Sequence, residues 1–189
     1  MIKDKICKNC GVKFTPRQFL QKYCRQNDEC LKVEANLLIE KKRLENKKSW
    51  NKEKKERKEK LMTHKDWLKK FEAVFNEFIR ERDKDKPCVS CDALPGTYTL
   101  TAGHYYPAGS NPSVRFNEDN VHGQCWFNCN KNKHGNQTEY IIRLKERIGD
   151  ERLEKLHILA KQKTNKLSIP EIQEKIKIYK EKIKTLKDE

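Results

Sequence analysis

Apolar residues recur at helical spacing in four stretches of this chain. The most regular stripe is Trp67, Leu68, Phe71, Val74, Phe75, Phe78 and Ile79, repeating every three or four residues as one face of an α-helix does. Thr63 with Asp66 gives it the start signature of a capping box, and DKDKP at 83–87 ends it, because the residue before Pro87 is biased away from helix. After Asn136, the positions Tyr140, Ile141, Leu144 and Ile148 lead to a break at Gly149, and Leu153, Leu156 and Leu159 predict a second short helix. Ser168 and Glu171 form another capping box ahead of Ile172, Ile176, Tyr179, Ile183 and Leu186. That last stripe is narrow and backed by lysines, so it reads either as a packing arm or as a dimerisation helix.

Two segments lack such a stripe. Between residues 31 and 60 the apolar positions thin out after Ile39, and twelve Lys/Arg stand against six Asp/Glu. Glu53 with Arg57 and Glu56 with Lys60 are i,i+4 pairs in the favoured order, which predicts a solvent-exposed helix: a stalk, a DNA-contacting arm or a solvated linker. Residues 88–137, rich in Gly, Pro, Asn and aromatic side chains, read as hairpin and loop. The 67–79 stripe is expected to pack against this second unit.

Composition narrows the picture. A chain of 189 residues with 35% hydrophobic and 38% charged residues predicts small compact units extended by solvated helices, not one large core. The net charge of +15 calls for a polyanionic partner, nucleic acid ahead of an acidic membrane surface. No apolar run approaches the roughly 18 residues of a membrane span, and MIKDKICKNC lacks the apolar stretch of a signal peptide. The expected address is the cytosol, where thiols stay reduced, so the eight cysteines read as metal ligands and not as disulfides.

The cysteines form two sets. Cys7, Cys10, Cys24 and Cys30 give C-x2-C-x13-C-x5-C, a four-thiolate zinc pattern, with Phe14, Phe19 and Tyr23 to pack on it and Lys13, Arg17 and Lys22 to face phosphate. So small a unit folds on metal binding. Cys88 and Cys91, then Cys125 and Cys129 after thirty-three intervening residues, give C-x2-C…C-x3-C, with the second knuckle one residue wider than usual. The insertion carries TAGHYYP at 101–107 and RFNEDNVHGQC at 115–125, and the knuckle is followed directly by Asn130, Lys131 and Lys133.

This assembly resembles the HNH nuclease family, whose motif lies on two antiparallel strands and a helix, the ββα-metal fold. The resemblance implies an H-N-N site: His104 as the base that activates water, Asn120 holding the loop or orienting the His104 ring, and Asn130 as a ligand of a catalytic Mg²⁺ or Mn²⁺, fixed opposite His104 by the cysteine knuckle. An acidic residue expected near the first His is replaced by Thr101, so a second cation ligand is unassigned among Glu118, Asp119, His122 and His134. His104 packed beside Tyr105 and Tyr106, and Asn130 as a plain helix cap, are the structural alternatives.

The order of CKNC, the Lys/Glu helix, FIRERDKDKPCVSC, AGHYYPAGSNPSVRFNEDNVHGQC and CNKNKHGN is similar to phage NinG proteins, the lambda Rap recombination endonuclease family, over most of the chain. The implied fold is α+β and predominantly helical: an N-terminal zinc finger (1–32), a long basic helix (33–62), a zinc-stabilised HNH-like core (63–150) and C-terminal helices (151–189). The implied function is structure-selective cutting of branched recombination intermediates, Holliday junctions and D-loops, in the host cytosol. Zinc would fill both cysteine sets, branched DNA would be the partner without membrane or small-molecule cofactor, and a homodimer would supply two active sites. Lys131, Lys133 and Arg17 are the expected phosphate contacts. A non-catalytic zinc-containing DNA- or RNA-binding protein is the competing expectation, sharing the charge and the cysteines but leaving His104 and Asn130 without a task.

Overall fold

The computed structural model describes residues 3–162 and 167–188, in two compact units that divide between Leu61 and Met62. In the first, strands β1 (Lys5–Ile6) and β2 (Lys13–Phe14) pair antiparallel around a turn whose Gly11 has φ 71°. Helix α1 (Asp28–Lys60) follows, capped by Asn27, whose side chain accepts the Cys30 N–H at 2.8 Å. The helix therefore starts ahead of the expected boundary at residue 33, and its first turn supplies the last cysteine of the first set. Over about 50 Å of helix, Cys30 is the buried residue; Leu37, Leu38, Ile39, Leu44 and Trp50 are exposed.

In the second unit, α2 (His64–Arg82) begins at a full capping box of Thr63 and Asp66 and buries Trp67, Phe71, Phe75, Phe78 and Ile79. These pack chiefly against α4 (Ile169–Asp188), where Ile172, Ile176, Tyr179 and Ile183 are buried. The last stripe is thus a packing arm. Phe116 joins the cluster with its ring centroid 4.3 Å from that of Phe71, and Tyr179 stands edge-on 5.1 Å from Phe75.

Strands β3 (Leu100–His104) and β4 (Val121–Cys125) form an antiparallel hairpin, with Leu100 opposite Cys125 and His104 opposite Val121. Side chains alternate between the faces of a strand, and both faces here are covered. Val121 and Ala102 enter the α2–α4 cluster. On the other face lies α3 (Gln137–Lys161), whose Tyr140 hydroxyl donates to the Gly103 carbonyl at 2.9 Å. Helix α3 bends at Gly149, which has φ 78° and ψ 167°, and residues on both sides of the bend (Tyr140, Leu144 and Ile148, then Leu153 and Leu156) share one cluster with Val89 and Val114. The architecture is mixed α+β and mostly helical: a hairpin between two helical layers.

Candidate functional site

The two cysteine sets close as the spacing demands. In each, the four sulfurs lie within 4.8 Å of one another. Sulfur separations are 3.7 Å for Cys7–Cys30 and 3.6 Å for Cys10–Cys24, and 3.3, 3.9 and 3.8 Å for Cys91–Cys125, Cys88–Cys129 and Cys125–Cys129. A tetrahedron with zinc–sulfur bonds of about 2.3 Å has edges of about 3.8 Å, so each set has the dimensions of a zinc cradle, and both can hold the ion. Backbone N–H groups point at the sulfurs: Cys24 donates to Cys7 at 3.3 Å, and Cys125 and Ser90 donate to Cys88 at 3.2 and 3.4 Å. Burial, with the nearby sulfurs, pushes the Cys129 thiol up to about 12 and Cys125 still further. A dication reverses that preference, because the thiolate becomes its ligand.

The wide knuckle has a structural form. Residues Trp126–Asn132 make a π-helical turn, whose broader coil takes one more residue than an α turn. Cys125 and Cys129 both face inward, 1% exposed each, while Trp126, Phe127 and Asn128 between them face out.

His104 ends β3, on the face that carries Ala102 and Val121 toward α2. Its Nε2 is 3.0 Å from the Arg115 carbonyl oxygen. A carbonyl only accepts, so Nε2 carries the proton and Nδ1 holds the lone pair. Burial, then the Arg115 charge, moves its pKa below the ordinary histidine value against the opposing pull of that carbonyl and of Glu72, so the ring is neutral at pH 7. Glu72 itself accepts from Arg115 at 2.9 Å.

Asn120 is fully buried and wholly engaged. Its Oδ1 accepts the Tyr106 N–H at 2.7 Å, and its Nδ2 donates to the carbonyls of Tyr106 and Val114 at 3.0 Å each. Of the two tasks expected for it, the structure gives it the loop and not the His104 ring.

Asn130 lies in the π turn, ahead of α3, and donates from Nδ2 to Gln124 Oε1 at 2.9 Å. Gln124 is fully buried and donates in turn to Ser90 Oγ at 2.6 Å and to the Gly135 carbonyl at 2.7 Å. That places Asn130 on the Gly103–Gln124 face of the hairpin, whereas His104 is on the other. The expectation that the knuckle sets Asn130 opposite His104 is therefore corrected. The physical reason is strand alternation: Gly103 and His104 are neighbours in β3 and point to opposite sides.

Three of the four candidate second ligands are engaged elsewhere. Glu118 accepts from Tyr179 and Lys182 at 3.0 and 2.6 Å, and Asp119 pairs with Arg152. His122 is buried with its Nδ1 3.2 Å from the Arg82 guanidinium; burial, then that charge, push it down to about 3. His134 opens a left-handed run with φ 48°, followed by Gly135 and Asn136 at 92° and 46°. Among the described residues, none of these four joins a group of three metal-type ligands. Lys131 is exposed within the π turn of the second unit and Lys133 at its end, and Arg17 is exposed in the first.

Sequence reading missed Gln124, Ser90, Glu72 and Arg115. HGQC and CVSC do display Gln124 and Ser90 next to cysteines, which was a usable signal. Glu72 had none, because it lies on the polar side of a helix read for its apolar stripe. Asp83, the first residue of the helix-ending DKDKP, is fully buried. It accepts the Gly123 N–H at 2.8 Å and pairs with Arg82. Burial alone raises its pKa, yet the Arg82 hydrogen bond and charge outweigh that and hold the carboxyl well below the usual range.

The fold and the cysteines define a class: a small α+β protein with two four-cysteine cradles, one of them locking a β-hairpin between helices. The chain belongs to the family described as Bacteriophage Lambda NinG protein, which matches residues 1–189. It is 37% identical over 122 residues to Protein ninG of Escherichia phage lambda, covering 65% of this chain and 58% of that one. Protein ninG of Salmonella phage P22 matches with the same identity and coverage, and that of Enterobacteria phage H19B is 41% identical over 90 residues, 48% of this chain and 44% of its own. The chain thus spans less than two thirds of these relatives' length. No solved structure matches it. Among the described residues, no helix is long and apolar enough to cross a membrane.

Proposed function

We propose that this protein is an endonuclease that cuts branched DNA, the Holliday junctions and D-loops of phage recombination, with an HNH-like ββα site around the hairpin and zinc in both cysteine sets. The observation that carries the reading is His104: neutral, proton on Nε2 fixed by the Arg115 carbonyl, and a lone pair on Nδ1. That is the state of a general base that takes a proton from water at neutral pH. Asn120 positions the loop through which Arg115 reaches the ring. The charge of +15 supplies phosphate attraction, with Lys131, Lys133 and Arg17 as contacts.

A divalent cation, Mg²⁺ or Mn²⁺, would neutralise charge on the leaving oxygen, and the Asn130 carbonyl is an oxygen of the kind such ions take. The residues do not fit a cradle built from His104 and Asn130 together, because the two stand on opposite faces of the hairpin. The same separation favours a second reading, a non-catalytic zinc protein that binds branched nucleic acid. A homodimer, with one site per opposed strand, belongs to the first reading.

The experiment incubates a labelled four-way junction and its matched linear duplex with wild type and His104→Ala, with Mg²⁺, Mn²⁺ or no added divalent ion. Metal-dependent cutting of the junction that falls at least about 100-fold in the variant, with binding retained, is the expected result. Tight binding without cutting under any ion establishes the second reading instead.

A further inference from the structure

We propose that Trp126 and Phe127 form a stacking surface for unpaired nucleobases, the feature by which this protein selects a branch over continuous duplex. The proposal rests on the nucleic-acid reading above but not on cleavage.

Trp126 is 47% exposed and Phe127 60%, side by side on a turn whose flanking residues Cys125 and Cys129 are buried. Two large aromatic rings held toward water forgo burial that rings of this size normally obtain. The turn is also immobilised. Both its cysteines belong to one four-thiolate set, the Trp126 N–H donates to the Thr99 carbonyl at 2.9 Å, and the Gly135 N–H returns to the Cys129 carbonyl at 2.9 Å. Rings presented from a fixed backbone lose little freedom when they meet a partner.

The surroundings choose the partner. The Lys131 ammonium lies 5.7 Å from the centre of the Phe127 ring, and the turn continues through Asn128, Asn130, Asn132 and Lys133. An apolar protein surface would meet mostly amides and ammonium groups there. A nucleotide satisfies both parts, with its base against a ring and its phosphate against a lysine. Bases within continuous duplex have both faces covered by their neighbours, so rings can stack only where the helix is interrupted. Gaps, ends and branch points offer such faces.

The test uses zinc-loaded, full-length protein in buffer without added Mg²⁺ or Mn²⁺, so that no cutting enters the reading. The probes are a four-way junction with 2-aminopurine at the branch and a linear duplex with the same base in mid-helix. Wild type is expected to change the fluorescence of the branch probe and leave the linear probe unchanged. The Trp126→Ala/Phe127→Ala variant should keep its linear-duplex affinity and lose about tenfold in junction affinity for each stacked ring. The conservative variant Phe127→Tyr should retain the preference, which separates ring chemistry from a folding defect. An unchanged branch probe with wild type overturns the proposal whatever the variants do. So does a folded double variant whose preference for the junction persists. Failure of cutting in the earlier experiment leaves this reading intact, and loss of all DNA binding by wild type sinks both.

Discussion

A Cβ placed on Gly103 would stand 2.4 Å from Gln124 Oε1 and 2.9 Å from that side chain's Cβ and Cδ. The position is therefore reserved for the Gln124 amide, which joins Asn130, Ser90 and the Gly135 carbonyl in one buried relay. Gly103→Ala is expected to destabilise the fold by about 1–3 kcal/mol through overpacking, measured by urea unfolding. Adding Gln124→Ala removes Oε1 and Cδ and leaves only the Cβ contact at 2.9 Å, so the double variant should be more stable than the sum of the single effects predicts. Strict additivity would show that the two positions do not touch. The imidazole of His104 was legible in TAGH because a side chain's identity is written in the sequence. The need for glycine one residue earlier was not, since it comes from a cross-strand neighbour twenty-one positions away.

The elements differ in how openly they were written. The 67–79 stripe and both capping boxes fixed α2 and the start of α4, and the break in α3 fell where Gly149 stands. The stripe of α4 does not name its partner, and in the structure its isoleucines lie against the α2 aromatics. Gly149 makes a test at this scale. By helix propensity alone, Gly149→Ala should gain roughly 1 kcal/mol. The structure holds φ at 78°, a conformation that alanine adopts only under strain, and both arms of α3 depend on the bend to reach one cluster. The expected outcome is a loss of about 1–3 kcal/mol, and a rise in the unfolding midpoint would contradict the bend as drawn.

Across the whole chain, the two units rest on different foundations. The apolar cluster of the first is Cys7, Phe14, Cys24 and Cys30, with Tyr23 partly covered, which is too little apolar material to fold unaided. The second has two apolar clusters of its own besides its cysteines. Purified protein should carry two zinc ions per chain, one for each set. On stripping with a strong chelator, hydrogen exchange should become fast throughout residues 7–30 while the α2 amides at 71–79 stay protected. Protection of 7–30 in the metal-free chain would show a core that the structure does not contain.

The sequence by itself determined the helices with strong apolar periodicity, the two cysteine sets and the chain's own excess of positive charge. These are local properties, or follow from ligand spacing that few geometries satisfy. Tertiary structure decided which face of the hairpin each side chain takes, and so separated His104 from Asn130 and bound Asn120 to its loop. It also turned the extra residue of the second knuckle into a π turn that presents Trp126 and Phe127 outward. Those outcomes depend on register and on what covers each face, and a strand shows its alternation only once its partners on both sides are in place.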